Sequence, residues 1–442
     1  MSADARVAVG LTAGVLLILL LVGGVRMAPR LPAYVRDARG APPAPGDFSD
    51  EECRRGSALR RRLRPLTYAR MLLGLGLAIA MGATELGADL VETVARPFGG
   101  GWLWEAPLGV LALLVLSSLI GLPCDVAGER VLRAAGLSVQ SWPSWASDRA
   151  KGLLLAGAVS VLLALGGYGL IRALPNLWWI VAALLAAALT VLLSFVFPVL
   201  VEPIFSRFRS LPEGDLRNEL LAMARHDGVP VRDVLVADAS RRTTALNAYV
   251  SGFGRTRRIV VFDTLLVAAS AEEVRLVVAH ELGHAAERDV LRGTALGAVG
   301  AALGTLLVAL ALSSASLLDA VGGTAPGDPR TLGLVLLVGS LLGLVTGPLS
   351  NAASRRIETR ADLHSLELTH DPVAFVASER RLALTNVADL TPSRLAYLLF
   401  ASHPAVPERI ATARRWAEQH GLAAPGPLIG GGAVPVGGRA ER

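Results

Sequence analysis

The chain has 442 residues, of which 52% are hydrophobic and 18% are charged, with a formal net charge of +6 and a pI of about 10.0. This composition is too apolar for a water-soluble enzyme of this length, and it indicates an integral membrane protein. The positive charge suits contact with anionic lipid. Because no stretch interleaves aromatic with basic residues, we expect the bilayer as a partner and no nucleic acid.

Seven segments are long and apolar enough to cross a bilayer, which requires about 20 residues. The first resembles the apolar core of a signal peptide, but it is long and no clean cleavage site follows, so we interpret it as an uncleaved anchor. The second is the weakest, because Glu85 and Asp89 interrupt its far end. The segments are 7–25, 71–91, 106–124, 152–171, 173–201, 293–318 and 331–354.

The distribution of arginine predicts the orientation of these spans. The loop at 26–70 carries eleven arginines, whereas the next loop carries only Arg96. Because basic residues in short loops stay in the cytoplasm, the N-terminus is expected outside, and residues 202–292 and those after Arg355 inside. The short loop at 319–330 is then outside. The prediction is a multi-pass cell-membrane protein with its polar regions towards the cytoplasm.

The pattern divides the chain into five parts. Residues 1–201 form an N-terminal membrane region, and residues 202–292 form a small α+β insert. A pair of spans follows at 293–354, then a second polar segment at 355–420 and a tail at 421–442 that is rich in Gly, Pro and Ala and is expected to be disordered. The fold class is therefore mainly α, with a small α+β domain. The proline-rich stretch at 39–50 predicts a flexible loop.

The insert at 202–292 combines a helix with short β-rich runs. Gly252 and Gly254 predict a hairpin turn within 247–254. The free edge of such a strand, just before the next helix, is suited to pair with an extended peptide, although a buried structural hairpin explains the pattern equally well. The expected elements are a helix at 216–227 and strands at 234–236 and Arg258–Phe262.

A helix that follows the hairpin carries the pentapeptide His280-Glu281-Leu282-Gly283-His284. Ser270 and Glu273 form a capping-box pattern that predicts where this helix begins. The two histidines are four residues apart, so they project from one face and can hold a single zinc ion. Glu281 stands beside them to take a proton from water on the metal. This pattern predicts a zinc hydrolase, against the alternative of a chance match in an alanine-rich helix.

Two histidines and a water leave a tetrahedral zinc ion one protein ligand short. Glu358 is the best candidate for that ligand, and Asp362 would lie one helical turn further on the same face. A carboxylate in that place can accept the spare N–H of a ligating histidine. The alternative is an ordinary charged helix start with Arg–Glu pairs, which would be preferred without the upstream histidines.

From about the third span to Ile410, the chain resembles the integral-membrane zinc endopeptidases typified by CAAX prenyl protease type I. Several separate motifs occur in the family's order, and the number of spans is similar to its seven-span branch. The matching motifs are Phe197-Pro198, Glu202-Pro203-Ile204-Phe205, Leu211-Pro212-Glu213-Gly214, Asn247-Ala248-Tyr249, Gly252-Phe253, Arg258–Phe262 with Asp263-Thr264-Leu265-Leu266, His280 to His284, Ser354-Arg355-Arg356-Ile357-Glu358 with Ala361-Asp362, Ser402-His403-Pro404 and Glu408-Arg409-Ile410.

The resemblance implies a gluzincin metallopeptidase whose spans enclose a water-filled chamber, with the zinc site facing the chamber near the cytoplasmic side. Two departures, Ser251 and Ala405, leave the substrate contacts open and do not touch the metal. Carried over by position, the zinc ligands are His280, His284 and Glu358, the catalytic residues are Glu281 and His403, the residue behind the ligands is Asp362, and the substrate-binding residues are Asn247, Ala248, Tyr249 and Arg409.

Together these features predict a membrane-embedded endopeptidase with one Zn²⁺ per chain and peptide or membrane-protein substrates, and no obligatory protein partner. The alternative is a chamber protein that keeps zinc for structure and captures lipidated or misfolded segments. Glu281 favours the enzyme, because a structural zinc site needs no base. Lys151 is the only lysine, and with abundant Ala and Gly this suggests a bacterial inner membrane, where surplus membrane proteins are the expected substrates.

Overall fold

A computed structural model describes residues 3–429, and within that range the chain is mostly helical with one four-stranded sheet. The strands are β1 (Phe208–Ser210), β2 (Asp233–Ala237), β3 (Ala248–Ser251) and β4 (Arg258–Phe262). The helices are α1 (Ala3–Met27), α2 (Ala33–Ala38), α3 (Asp50–Gly82), α4 (Leu86–Ala95), α5 (Trp102–Ala134), α6 (Trp142–Ala173), α7 (Trp178–Val196), α8 (Glu202–Phe205), α9 (Asp215–His226), α10 (Asp263–Ala268), α11 (Ala271–Ala286), α12 (Asp289–Leu312), α13 (Ala315–Ala320), α14 (Leu332–Thr369), α15 (Pro372–Thr385), α16 (Arg394–Phe400) and α17 (Val406–Gln419).

Seven helices of the described chain are long and apolar enough to cross a membrane, which confirms the predicted number of spans. They are α1, α3, α5, α6, α7, α12 and α14. The second span differs from its predicted bounds of 71–91. Helix α3 ends at Gly82, and the acidic residues Glu85 and Asp89 belong to the start of the separate helix α4.

Helix α14 continues well beyond the predicted end of the last span at residue 354, as far as Thr369. The segment with Glu358 and Asp362 is therefore helical, and one continuous helix joins the membrane region to the polar domain. Six of the long helices pack in a closed cycle, each against the next: α3, α5, α6, α7, α12 and α14, with α14 again against α3. Helix α1 packs against α12.

Helices α3 and α14 cross with their backbones in contact. Gly82 and Gly333 lie at the crossing, and a Cβ added to Gly333 would overlap the carbonyl oxygen of Met81. Small residues allow this close approach, which in a membrane is stabilised by van der Waals packing.

The sheet has the strand order β1-β2-β4-β3, with β2 and β4 parallel and the other pairs antiparallel. Strands β2, β3 and β4 confirm the predicted strands and hairpin, whereas β1 was not predicted. The order makes β3 an edge strand. The turn from β3 to β4 contains Gly252 and Gly254, both with positive φ, as the hairpin prediction requires. Buried residues of the sheet pack against α9 and α11; among them are Val234, Ile259 and Val261.

The C-terminal helices form a second core with the N-terminal half of α11. Leu276, Leu366, Ile410 and Trp416 are buried there together with Phe48. Phe48 belongs to the proline-rich stretch predicted as a flexible loop.

That stretch is instead packed against the C-terminal segment. Arg414 binds the buried carboxylate of Asp47 at 2.7 Å and also donates to the Pro425 and Gly426 carbonyls. The start of the predicted tail, 421–429, thus lies against the domain, while 430–442 lie outside the described residues.

Candidate metal centre and active site

Helix α11 presents the histidine pair as the capping box predicts. Ser270 accepts from the Glu273 amide and Glu273 from the Ser270 amide, so the helix begins at Ala271. His280 and His284 follow on one face, one turn apart, with their Nε2 atoms 3.3 Å from each other. The opposite side of the helix is buried in the core beneath the sheet, which holds the two rings in place.

Helix α14 brings Glu358 to the histidine pair from a position 78 residues further along the chain than His280. Its Oε2 lies 3.2 Å from His280 Nε2, and its Oε1 lies 3.7 Å from His284 Nε2. One ligand atom from each of the three side chains lies within 4.8 Å of the others. The three predicted ligands are therefore brought together by the tertiary structure.

Each histidine has a carboxylate behind its second ring nitrogen. Asp362 Oδ1 lies 2.9 Å from His280 Nδ1, in a contact bent away from ideal hydrogen-bond geometry. Asp289 Oδ2 lies 3.0 Å from His284 Nδ1 and is also bound by Arg360. Carboxylates in this position orient a ligating ring and raise its basicity. Sequence reasoning found Asp362 and missed Asp289, whose only local signal is its position five residues after His284.

Asp362 is in turn bound by Arg409, a residue assigned to substrate binding from the resemblance. Arg409 Nε lies 2.9 Å from Asp362 Oδ2, and Arg409 Nη1 lies 2.6 Å from Glu379 Oε2. All three side chains are almost completely buried, and Arg409 itself is 13% exposed. Burial raises the pKa of Glu379 to about 7, while Arg409 favours its ionised form. Arg409 therefore holds the carboxylate that faces His280 Nδ1, and it also lines a cavity of about 230 Å³ together with Glu281 and His403.

Two further predicted residues flank the centre. Glu281 lines two cavities, a smaller one of about 230 Å³ and a larger one of about 940 Å³, so it lies between them. Burial raises the pKa of the Glu281 carboxyl above its usual range. His403 comes from the loop between α16 and α17, and its Nε2 lies 3.2 Å from Glu358 Oε2. Its side chain is 60% exposed, so it faces open space above the carboxylate.

The predicted substrate strand borders this site. Strand β3 contains Ala248 and Tyr249 and packs against α11, while Asn247 precedes it and accepts a bond from the Phe262 amide. Asn247 also lines the smaller cavity beside Glu281. Because β3 is at the edge of the sheet, its outer side is available to a further strand. The assignment of these residues to substrate binding stays a prediction.

The geometry of the three side chains fits a zinc ion. Bonds of about 2.0–2.1 Å at the tetrahedral angle separate ligand atoms by about 3.3 Å. The two histidine Nε2 atoms are 3.3 Å apart, Glu358 Oε2 lies 3.2 Å from that of His280, and the other carboxylate oxygen, Oε1, lies 3.7 Å from that of His284. Electrostatics agree with this fit. Burial would lower the pKa of His280, but Asp362 and Glu358 outweigh it and raise that pKa to about 10. The site thus favours positive charge, and two imidazoles with one carboxylate leave a fourth position open.

Seven membrane-crossing helices and a helix-borne pair of histidines with a third carboxylate define a membrane-embedded metalloprotease. Comparison with known proteins identifies the family of metalloproteases to which it is similar. The family model for peptidase family M48 matches residues 210–417, and the model for the CAAX prenyl protease N-terminal region, described as five membrane helices, matches residues 48–207. The chain belongs to peptidase family M48, in the group with the CAAX prenyl protease membrane region.

Individual relatives agree with this assignment. The uncharacterized metalloprotease YhfN of Bacillus subtilis is 32% identical over 319 residues, covering 69% of this chain and 72% of that protein. The CAAX prenyl protease 1 homolog of Oryza sativa is 27% identical over 314 residues, covering 67% and 70%. The crystal structure of S. mikatae Ste24p has the same fold, with a TM-score of 0.77 over 93% of this chain and 100% of that chain, at 18% identity.

Proposed function

We propose that the protein is a zinc metalloendopeptidase that hydrolyses peptide bonds of membrane-associated or membrane-protein substrates. The observation that carries the proposal is the convergence of His280, His284 and Glu358 at ligand separations, with Glu281 beside them. A structural zinc site closes its fourth position with another side chain and has no use for a base. Glu281 lines both cavities beside these three side chains, which supports hydrolysis.

His280, His284 and Glu358 would hold the ion. When bound, zinc supplies Lewis acidity, which polarises the scissile carbonyl and brings the pKa of a water near 7. The Glu281 carboxylate takes the proton from the attacking water and passes it to the nitrogen of the leaving amine.

Other residues of this chain would position the substrate. An extended peptide would pair with the outer edge of β3, so that main-chain hydrogen bonds hold it irrespective of its sequence. His403 Nε2, 3.2 Å from Glu358 Oε2, would donate to the oxygen on which negative charge develops. Asp362 and Asp289 keep the two ligating rings in their required orientation.

The substrates would be membrane proteins whose unfolded segments reach the site as extended chain, in keeping with the predicted cytoplasmic location of the centre. Two relatives are named CAAX prenyl protease, so a lipidated C-terminal peptide is the other substrate class to be tested. The distinction is chemical. A quality-control protease would accept any extended peptide, whereas a protease specific for prenylated substrates would discriminate by the lipid.

The test compares Glu281→Gln and Glu358→Gln with the parent protein, with Glu272→Gln on the exposed start of the same helix as the control. Zinc content is measured by mass spectrometry, and cleavage is measured with an unstructured peptide and with a lipidated one. Glu281→Gln should keep one zinc per chain and lose activity by about 10²-fold or more. Glu358→Gln should bind zinc less tightly and recover activity partly in excess metal.

Parental cleavage by Glu281→Gln would remove that residue from the catalytic role. If the parent binds zinc but cleaves neither peptide, the protein captures segments and does not hydrolyse them. Cleavage of the lipidated peptide alone would identify a prenyl protease, and cleavage of both would support the broader substrate class.

A further inference from the structure

A further cavity, separate from the two that Glu281 lines, lies at the end of the last membrane span. It has a volume of about 860 Å³ and is enclosed by the segment around α2, the polar half of α14, and helices α16 and α17. It ends behind Asp362 and Arg409, and the metal ligands do not line it. The cavity is not part of the proposed active site, so its role is independent of the proposed function.

The lining of this cavity is strongly basic. Five arginines and two carboxylates contribute to it, and the carboxylates are already engaged. Asp362 is held by Arg409, and Glu408 accepts from the Gly40 amide at 2.9 Å and the Tyr397 hydroxyl at 2.8 Å. The positive charge of the remaining arginines is therefore not compensated by a carboxylate of the lining.

Three of its arginines are free to bind a ligand. Within residues 3–429, Arg39, Arg356 and Arg394 form no ion pair with a carboxylate, although each lines the cavity and is exposed. Arg355, by contrast, is fixed by the carbonyl oxygens of Tyr397 and Ala401 and stacks on the Tyr397 ring. Guanidinium groups of this kind bind phosphate oxygens in pairs.

An apolar stripe on α14 leads directly into this cavity. Leu341, Val345 and Leu349 are 48%, 65% and 62% exposed, and they lie on one face at intervals of four residues. Arg356 is eleven residues, or about three turns, beyond Val345, so it lies on the same face as the stripe. Exposed leucines on a membrane-spanning helix contact lipid tails. The arginines thus stand where the polar head of such a lipid would be.

Helix α16 forms the other wall in a similar way. Leu395 and Leu398 are 64% and 47% exposed, while Arg394 precedes them and lines the cavity. Exposed apolar residues beside an arginine are typical of a helix at the boundary between lipid tails and head groups. Both walls therefore combine tail contacts with head-group contacts.

We propose that this cavity binds the phosphate-bearing head group of an anionic membrane lipid, with Arg39, Arg356 and Arg394 on the phosphate and the acyl chains along the Leu341, Val345 and Leu349 stripe. Basic pockets beside the cytoplasmic ends of spans recognise anionic lipids by the same chemistry. The arginine distribution independently predicts that this end of α14 faces the cytoplasm. The lipid would clamp α2, α14 and α16 together behind the metal centre.

The test measures lipid retained by the full-length protein. The protein is purified in detergent and exchanged into mixed micelles with equal amounts of phosphatidylglycerol and phosphatidylcholine, and bound lipid is counted by native mass spectrometry. The parent should retain phosphatidylglycerol in preference. The triple variant Arg39→Gln, Arg356→Gln, Arg394→Gln should bind it about 100-fold more weakly, since each basic residue near a lipid surface contributes about fivefold.

A matched control removes the same charge elsewhere. Arg54→Gln, Arg55→Gln, Arg61→Gln lies on the exposed, arginine-rich start of α3 and should retain the lipid at the parental level. A second variant, Ala352→Trp, fills the cavity from α14 without changing its charge and should also lose the lipid.

Equal retention of the two lipids by the parent, or equal loss in the triple variant and its control, would overturn the proposal. Displacement of phosphatidylglycerol by excess inorganic phosphate would show that the cavity takes phosphate from solution and that the lipid assignment is wrong. Retention of the lipid by Ala352→Trp would place it outside the cavity, which also contradicts the proposal.

Discussion

Arg409 holds Asp362 by two of its nitrogens, and the Nε contact with Oδ2 is 2.9 Å long. The other carboxylate oxygen of Asp362 faces His280 Nδ1. A chain of contacts therefore runs from Glu379 through Arg409 and Asp362 to His280, the predicted metal ligand, and its two carboxylates and the histidine are buried. These contacts hold the ring of His280 in place. Moving Asp362 would leave the charge of Arg409 without its partner in the protein interior, which is costly.

The first prediction concerns Asp362 at the centre of this chain. Asp362→Ala should weaken zinc binding by about 10–100-fold without abolishing it, because the variant removes the group that orients His280 and leaves the ligands in place. Zinc affinity is measured by competition with a chelator. Glu367→Ala, at an exposed position on the same helix, is the control and should bind zinc as the parent does. Parental affinity in Asp362→Ala would exclude Asp362 from the site.

The second prediction separates two roles for Arg409. If it positions Asp362, Arg409→Gln should weaken zinc binding, and KM measured in excess metal should stay near the parental value. A residue that binds substrate would show the reverse, with KM raised and zinc affinity unchanged. The buried contacts with Asp362 and Glu379 favour the first result. A large rise in KM with normal zinc affinity would restore the assignment made from the resemblance.

The third prediction tests the orientation in the membrane. A cysteine introduced at Gly327 should react with an impermeant reagent from outside the cell, and a reporter fused after Arg442 should be cytoplasmic. The prediction rests on the alternation of arginine between loops. Both native cysteines, Cys53 and Cys124, are half-buried and would be replaced first. Labelling of Gly327 only after the membrane is opened would invert the proposed arrangement.

The fourth prediction concerns the crossing of α3 and α14. Gly333→Ala should destabilise the protein by about 1–3 kcal/mol, because the added methyl group overlaps the Met81 carbonyl and the helices must separate. Gly339→Ala, further along α14, meets nothing within 4 Å and serves as the control. Thermal unfolding in detergent should show a lower midpoint for Gly333→Ala only. Equal midpoints for both variants would show that the crossing relaxes without cost.

Much of the site was predictable because its patterns are local. The spacing of His280 and His284 follows from the helical period, and Ser270 with Glu273 marks the start of that helix. The structure shows both features as predicted. Glu358 and Asp362 follow from chemistry, since a zinc site needs a third ligand and a partner for the ligating ring. Their roles as ligand and partner stay predictions.

Other features depend on contacts between distant segments. No local pattern pairs Asp289 with His284 as its partner, or places Glu379 against Arg409, because these contacts form only when α11, α14, α15 and α17 pack together. The end of α3 at Gly82 was missed for a similar reason. Apolar residues continue past Gly82 in the sequence, but helix α3 ends there, where it meets the backbone of α14.

By itself, the sequence determined the seven spans, three of the four strands of the insert and the helix with the histidine pair, because hydrophobicity, period and capping act over a few neighbouring residues. Only the tertiary structure decided that Glu358 meets those histidines, that the proline-rich stretch packs beneath α17, and that three unpaired arginines share one cavity. These are relations between segments separated by many residues. Their geometry is set by the packing of whole helices, which no local pattern encodes.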